Sequence, residues 1–148
     1  MTPMRYPRSV IAGASVALGL AIASATTAAA QTLPDLHPTA VQLEGGINYV
    51  KAGQTVRAHS CVENLGDQGT GVFNVAWYVD GTRQGYGSHR GVPGHSSVCN
   101  YNSAFTWTAP NDPGSDHTIK FVVDEDNFVQ ESDETNNSDT KPVGVLTP

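Results

Sequence analysis

Basic residues are scarce in this sequence and are nowhere clustered. Its 148 residues include 8 Lys and Arg against 14 Asp and Glu, which gives a net charge of −6 at pH 7. Binding to nucleic acid or to an anionic lipid surface depends on grouped Lys and Arg side chains. The composition therefore argues against both partners, and we predict a protein that binds no nucleic acid.

Long apolar runs are absent after the first thirty residues. The run from Val10 to Ile22 follows Arg5 and Arg8 and precedes three alanines at 28–30. A positive segment, a short apolar segment and a small-residue end are typical of a cleaved secretory signal peptide. We predict that residues 1–30 are such a peptide. The alternative is an N-terminal helix that is retained as an anchor.

The rest of the chain, residues 31–148, is long enough for one domain with a single core. No internal repeat and no Gly/Ser-rich or Pro-rich linker divides it. It contains no second apolar segment of membrane-spanning length. We therefore predict one secreted domain without a membrane span, which leaves its oligomeric state open.

Cysteine is nearly absent: only Cys61 and Cys99 are present, and their spacing is nothing like Cys-x-x-Cys. Two cysteines in an exported chain favour one intramolecular disulfide over a pair of free thiols, because the compartment outside the cytoplasm is oxidising. Closing a loop of this length would stabilise the fold by about 4 kcal/mol.

Helical periodicity is also absent beyond the N-terminal run, and apolar residues instead alternate with polar ones. Phe73, Val75, Trp77 and Val79 share one phase of a strand, and turn formers recur about every ten residues. We predict an all-β, antiparallel sandwich of about seven strands with Trp77 and Trp107 packed between the sheets. The main strand predictions are Ala40–Leu43, Thr55–Asn64, Val72–Val79, Ser97–Thr108, Ile119–Val123 and Thr140–Leu146. Thr82–Ser96 is predicted to form weak edge pairing and loop.

The stretch from Ile119 to Asn137 combines a core strand with a dense group of acids. After Val123 the pattern predicts a polar corner and then an apolar return segment that begins at Phe128. Carboxylate and amide oxygens at this density can bind calcium. The candidate ligands are Asp124, Asp126, Asn127, Glu131 and Asp133. We favour the interpretation that these residues form Asx turns on a solvated acidic segment, since the spacing does not match an EF-hand loop.

Catalytic motifs are missing from the sequence. There is no Gly-x-Ser-x-Gly elbow, and Glu131 with Asp133 or Glu134 is expected to lie on an exposed segment without the apolar pocket that raises a carboxyl pKa. His89 and His95 are expected to be solvated loop residues, since no metal-binding motif accompanies them. We therefore predict that the protein is not an enzyme.

Several short motifs occur together in a defined order: Pro34-Asp35-Leu36, Ala52–Val56, Asn64–Asp67, Val79–Gly81, Pro93-Gly94, Thr106–Ala109, Val123–Asn127, Glu131–Glu134 and Asn136-Asn137. From about Leu33 to Leu146 the chain thereby resembles a CARDB domain, the cell-adhesion-related domain found in bacteria. The resemblance implies an immunoglobulin-like or fibronectin-III-like sandwich in an exported bacterial protein. It also implies surface interaction or adhesion. The family pattern does not call for cysteines, so the predicted disulfide is this chain's own addition.

These observations favour a secreted, non-enzymatic binding or adhesion-type module that interacts with a protein or glycan at the cell surface. Tyr86, in a Gly-rich segment, is the best candidate for a contact residue. The alternative is a calcium-dependent structural or spacer module. No cofactor other than calcium is indicated.

Overall fold

The computed structural model describes residues 33–148, so the predicted signal peptide lies outside the described residues. Within them the chain forms eleven strands and one 3₁₀ turn, Tyr101–Ser103. The strands are β1 (Leu36–Pro38), β2 (Gln42–Leu43), β3 (Tyr49–Lys51), β4 (Thr55–His59), β5 (Val62–Asn64), β6 (Phe73–Val79), β7 (Thr82–His89), β8 (Ser96–Val98), β9 (Ala104–Thr108), β10 (Asp116–Val123) and β11 (Ser138–Leu146). In the described residues, no helix has the length and apolarity that crossing a membrane requires.

The strands form two layers. One is a five-stranded sheet in the order β3-β11-β10-β6-β7. The other consists of two small sheets, β1-β5-β8 and β2-β4-β9. Each strand of one small sheet adjoins a strand of the other along the chain. Strand β1 is followed by β2, β4 by β5 after two residues, and β8 by β9. The small sheets are therefore two halves of one interrupted layer. Pairing is antiparallel except between β3 and β11. The predicted all-β sandwich is confirmed.

The core lies between these layers and follows the alternation of the sequence. Trp77 on β6 stacks against Phe105 on β9 at 5.9 Å between ring centroids and packs on Phe121 of β10 at 4.4 Å. Trp77 and Trp107 are only 3% and 7% exposed, as predicted. Burial of large aromatic side chains from both layers is the main stabilising contribution to such a core.

A disulfide joins two neighbouring strands at the break in this layer. Cys61 lies in the break between β4 and β5, and Cys99 follows β8, with their Cα atoms 4.5 Å apart. Beside them the Ser60 N–H donates to the Ser103 carbonyl at 2.9 Å, which extends the pairing of β4 with β9 into the break. The bridge therefore connects the central strand of this layer to its edge.

The segment from Thr82 to His89 differs from the prediction of weak pairing and loop. It forms β7, which pairs with β6 over its whole length apart from a bulge at Trp77/Tyr78. His89, expected to be a solvated loop residue, is fully buried and stacks on Phe73 at 5.1 Å. Burial lowers the pKa of the His89 imidazole, and its Nε2 lies 3.2 Å from Ser103 Oγ. Tertiary packing thus overrides the low strand propensity of the glycines in this segment.

The predicted strand Ser97–Thr108 is interrupted by the 3₁₀ turn. The Asn100 side chain accepts the Ser103 backbone N–H, and the Ser103 hydroxyl accepts the Asn100 N–H, which forms a capping box. The extra residues rotate Tyr101 out of the apolar phase, and its side chain is 89% exposed. The short strand β3 was not predicted, because its single buried residue, Val50, gives no periodicity.

We expect that replacement of Cys61 and Cys99 by serine lowers the free energy of unfolding by about 3 to 4 kcal/mol, since the bridge closes a long loop in the unfolded chain. Urea denaturation monitored by tryptophan fluorescence measures this change. A reductant should lower the free energy of unfolding of the wild type by the same amount as the double substitution, and it should leave the double variant unaffected. A loss below about 1 kcal/mol would show that the bridge contributes little.

Candidate functional site

The acidic corner, residues Asp124–Asn137, connects the end of β10 to β11 without any strand of its own. Asp124 and Asn127 adopt positive φ values of 47° and 52°, a conformation that Asp and Asn tolerate better than most residues. The predicted apolar return segment is wrong for Phe128, which is 81% exposed. Only Val129 turns inward to pack against the core.

Asp124 holds the first turn of the acidic corner from inside. Its side chain is buried, and its two carboxylate oxygens accept the backbone N–H groups of Phe128 at 3.1 Å and Val129 at 2.9 Å. Burial raises the pKa of this carboxyl group, although the two hydrogen bonds oppose that shift. The residue acts as an Asx-type turn anchor, as the structural interpretation of the sequence predicted.

Glu131 is the second buried acid, with 6% of its surface exposed. Its Oε2 accepts the Leu36 backbone N–H of β1, and its Oε1 accepts Asn137 Nδ2 at 2.9 Å. Burial raises the pKa of Glu131 to about 7. The expectation that this carboxylate lies on an exposed segment without a pocket is therefore wrong. Residues 34–36, which we call the N-terminal segment, cover it.

The N-terminal segment is fixed on both sides. The Ser132 N–H donates to the Pro34 carbonyl at 2.9 Å, and Asn136 Nδ2 donates to Asp35 Oδ1 at 2.7 Å. On the far side, the buried Asn64 side chain accepts the Asp35 N–H at 3.0 Å. These contacts explain why a residue 95 positions away in sequence can bury Glu131.

Three carboxylates converge in the acidic corner. Asp124, Glu131 and Glu134 each offer an oxygen, and these oxygens lie within 4.8 Å of one another. The Glu134 carboxylate also accepts the Glu131 backbone N–H at 2.9 Å. The sequence pattern named the first two residues as candidate calcium ligands and did not include Glu134, which lies three residues after Glu131.

The other predicted ligands do not join this cluster. Asp126 accepts hydrogen bonds from Asn74 Nδ2 and from the Tyr86 hydroxyl, the latter at 2.6 Å. Asp133 accepts the Thr135 N–H at 2.8 Å and its hydroxyl at 2.6 Å. These hydrogen bonds lie within a turn or on the surface. Asn127 is itself the second residue with positive φ described above.

Tyr86 is half exposed on the outer face of the five-stranded sheet. Its hydroxyl donates to Asp126, and the Arg83 guanidinium carbon lies 4.9 Å from its ring centroid. The hydrogen bond to Asp126 raises the pKa of the Tyr86 phenol. The ring is thus held at a fixed position beside the acidic corner.

A hydrogen-bonded group centred on His117 lies at the opposite end of β10. His117 Nδ1 lies 2.7 Å from Asp80 Oδ2, while its Nε2 lies 2.9 Å from Ser115 Oγ and 3.3 Å from Asp112 Oδ2. The hydrogen bond with Asp80 raises the pKa of the His117 imidazole. The two ring nitrogens of His117 thus lie between the carboxylates of Asp80 and Asp112, and the residue joins the segments that carry them.

We expect the stability of the protein in EDTA to fall as pH rises from about 4.5 to 7, because folded Glu131 binds its proton more tightly than the unfolded chain does. The Glu131→Gln variant should lose this component, which amounts to at most about 3 kcal/mol. Urea denaturation at a series of pH values measures the difference. Equal pH profiles for the two proteins would contradict the assignment, and Asp133→Asn serves as the exposed control.

The fold matches known proteins over most of its length. The CARDB family model matches residues 33–141, whereas no curated protein matches the sequence. A CARDB domain from Pyrococcus furiosus, whose crystal structure is in complex with di-metal ions, superposes with a TM-score of 0.64 at 23% identity, over 79% of this chain and 97% of that chain. The solution structure of that domain gives a TM-score of 0.63 at 24% identity, over 79% and 99% of the two chains.

A domain of a Methanosarcina acetivorans protein named as a cell surface protein is also similar. Its solution structure superposes with a TM-score of 0.55 at 26% identity, over 77% of this chain and 93% of that chain. These neighbours share the immunoglobulin-like sandwich of the described residues. Since the family model covers well over half of the sequence, the chain belongs to the CARDB family, a family of non-catalytic, cell-adhesion-related domains.

Proposed function

We propose that the protein is a secreted, non-enzymatic adhesion-type module that binds a protein or glycan at the cell surface. The proposal rests on a set of large apolar side chains that lie on the surface. Each is at least half exposed; the set consists of Tyr49, Leu65, Val72, Tyr86, Tyr101, Phe128 and Leu146. Exposed aromatic and apolar side chains are the usual anchors of binding interfaces.

The polar groups of the described residues support binding over catalysis. Asp124, Glu131 and His117 each make hydrogen bonds that hold a turn or join two segments. A catalytic base must come within hydrogen-bond reach of a substrate, whereas Asp124 and Glu131 are 4% and 6% exposed. Export is supported by the N-terminal pattern of the sequence and by the disulfide, which persists in oxidising compartments.

We expect immobilised purified protein to capture a specific protein or glycan from the cell surface or culture medium. Mass spectrometry of the eluate and a glycan array identify the partner. Tyr101→Ser, in the 3₁₀ turn, should reduce the capture severalfold if the exposed aromatic side chains Tyr86 and Tyr101 form the contact, because a tyrosine buried at an interface contributes about 1 to 2 kcal/mol. Tyr49→Ser, on the opposite edge of the five-stranded sheet, is the matched control. Absence of any saturable capture would refute the function.

Calcium-dependent structural support is the second candidate, and one specific observation favours it. Oxygens of Asp124, Glu131 and Glu134 converge within 4.8 Å, and the buried Oδ1 of Asn137 beside them has no hydrogen-bond partner. Calcium binds carboxylate and amide oxygens and accepts waters at its remaining positions. The related domain from Pyrococcus furiosus is described in complex with di-metal ions. We propose that a cation would neutralise the acids here.

We expect calcium at up to about 10 mM to raise the melting temperature at pH 7, since an ion that binds only the folded state stabilises it. Differential scanning fluorimetry measures the shift. Glu134→Gln should abolish the response, whereas Asp133→Asn, in the same segment but outside the cluster, should retain it. An unchanged melting temperature in the wild type would exclude this second candidate.

A further inference from the structure

Two edge strands lie side by side on one flank of the sandwich. β7 ends the five-stranded sheet, and β9 ends one half of the interrupted layer. Between them is a recess of about 120 Å³, which with its surroundings we call the edge groove. Its lining includes Trp77, Gly85, Tyr86, Gly87, Asn102 and Phe105. The recess has about the volume of four water molecules and suits one small apolar side chain.

The backbone of β7 is available for pairing at one point along this groove. The Ser88 carbonyl accepts hydrogen bonds from Asn100 and Asn102 and therefore points away from β6. In an antiparallel pair, residues two apart direct their backbone groups to the same side. The N–H and carbonyl of Tyr86 consequently face the groove. Within the described residues, no backbone hydrogen bond from outside its sheet reaches Tyr86.

The two ends of this window are protected against further pairing. The bulge at Trp77/Tyr78 disturbs β7 before Gly85, and the Asn102 side chain covers the strand at Ser88. Bulges and covering side chains are the devices by which edge strands avoid indiscriminate association. What remains open is a short stretch centred on Tyr86, next to the recess.

Gly85 keeps the recess open, although the fold does not require a glycine there. A Cβ atom at this position would lie 3.4 Å from Trp77 Cβ and 3.7 Å from Phe105 Cδ2, which are tolerable contacts. At Gly87, by contrast, it would lie 2.5 Å from Asn102 Nδ2. Glycine inside a strand costs about 0.5 to 1 kcal/mol relative to alanine. The missing side chain at Gly85 therefore preserves space at the expense of strand stability.

A charge adjoins the recess. The edge groove continues across Ala104 and Phe105 into a wider cleft of about 400 Å³ that Arg57 and Tyr101 line. Arg57 is the one charged residue among those that line the recess and this cleft. In the described residues its guanidinium forms no salt bridge within 4 Å. This local cation favours a partner segment that carries a carboxylate at this position.

We propose that the edge groove binds an extended segment of a partner polypeptide by strand addition. The segment pairs with the Tyr86 backbone, inserts one apolar side chain above Trp77 and Phe105, and directs an acidic side chain toward Arg57. Main-chain hydrogen bonds and a side-chain pocket together are the signature of this mode of recognition. An extended polypeptide presents its N–H and carbonyl in the register that pairs with a strand, whereas a glycan presents hydroxyl groups without that register. The inference rests on the proposed binding function and specifies its site.

The probe is the capped hexapeptide Thr-Val-Thr-Val-Asp-Thr, compared with the same peptide carrying Lys in place of Asp. Titration into ¹⁵N-labelled protein, followed by NMR, should shift the amide signals of Gly85, Tyr86 and Phe105. We expect the lysine peptide to bind about tenfold more weakly, since it places like charges together. The amide proton of Tyr86 should exchange more slowly with solvent when the peptide is bound.

Gly85→Val fills the recess and should weaken peptide binding about tenfold without lowering the melting temperature. Thr82→Val, an exposed change on the same strand, is the matched control. Arg57→Gln should remove the preference for aspartate over lysine, whereas Lys51→Gln on the opposite edge should retain it. This second pair of variants keeps the test valid if Gly85→Val folds poorly.

The outcomes separate the site from the function. Shifts confined to the edge groove and lost in Gly85→Val support strand addition. Absence of peptide binding, together with capture of a surface protein that Gly85→Val does not affect, would overturn the site and leave the proposed function standing. Binding of a glycan that is insensitive to both variants would also overturn it. Absence of any captured partner would refute the binding function itself.

Discussion

All three strands of one layer break at the same level, and the rest of the sandwich depends on how this break is bridged. Backbone groups released from a ladder need other partners when they are buried. Here Cys61 and Cys99 connect the central strand to the edge covalently within the break, and the Ser60 N–H bonds to the Ser103 carbonyl beside them. On β9, which follows the break, Phe105 stacks on Trp77 of the other layer and Trp107 is buried.

Closure of the acidic end depends on contacts between distant segments. The chain from Pro34 to Leu36 lies between the acidic corner and the side chain of Asn64, and hydrogen bonds from both sides fix it. Glu131 is buried as a consequence, and its pKa rises toward neutrality because the carboxylate loses water without gaining a cation. The proposed cation site therefore consists of residues that also have a structural role.

Polar side chains at the two ends of the sandwich are paired with one another, whereas, in the described residues, the flank formed by β7 and β9 has edge-strand backbone without a neighbouring strand. Asp80 and His117 are paired at one end, and the acidic corner is internally bonded at the other. The flank formed by β7 and β9 retains unpaired backbone, an open recess and the exposed ring of Tyr101. The chain belongs to the CARDB family of cell-adhesion-related domains, and this flank is the part of the described surface that we propose for a partner.

The sequence by itself determined the layered all-β fold, the packing of Trp77 and the Cys61–Cys99 bridge. Alternation of side chains along a strand is a local property, and an oxidising compartment favours disulfide formation by the only two cysteines. Tertiary structure alone decided that Glu131 and His89 are buried. Burial of the first requires a backbone 95 residues away, and burial of the second requires the pairing of β7 with β6, which stacks the ring on Phe73. Neither event leaves a periodic signal, because each depends on which segment packs against the residue and not on its neighbours in sequence.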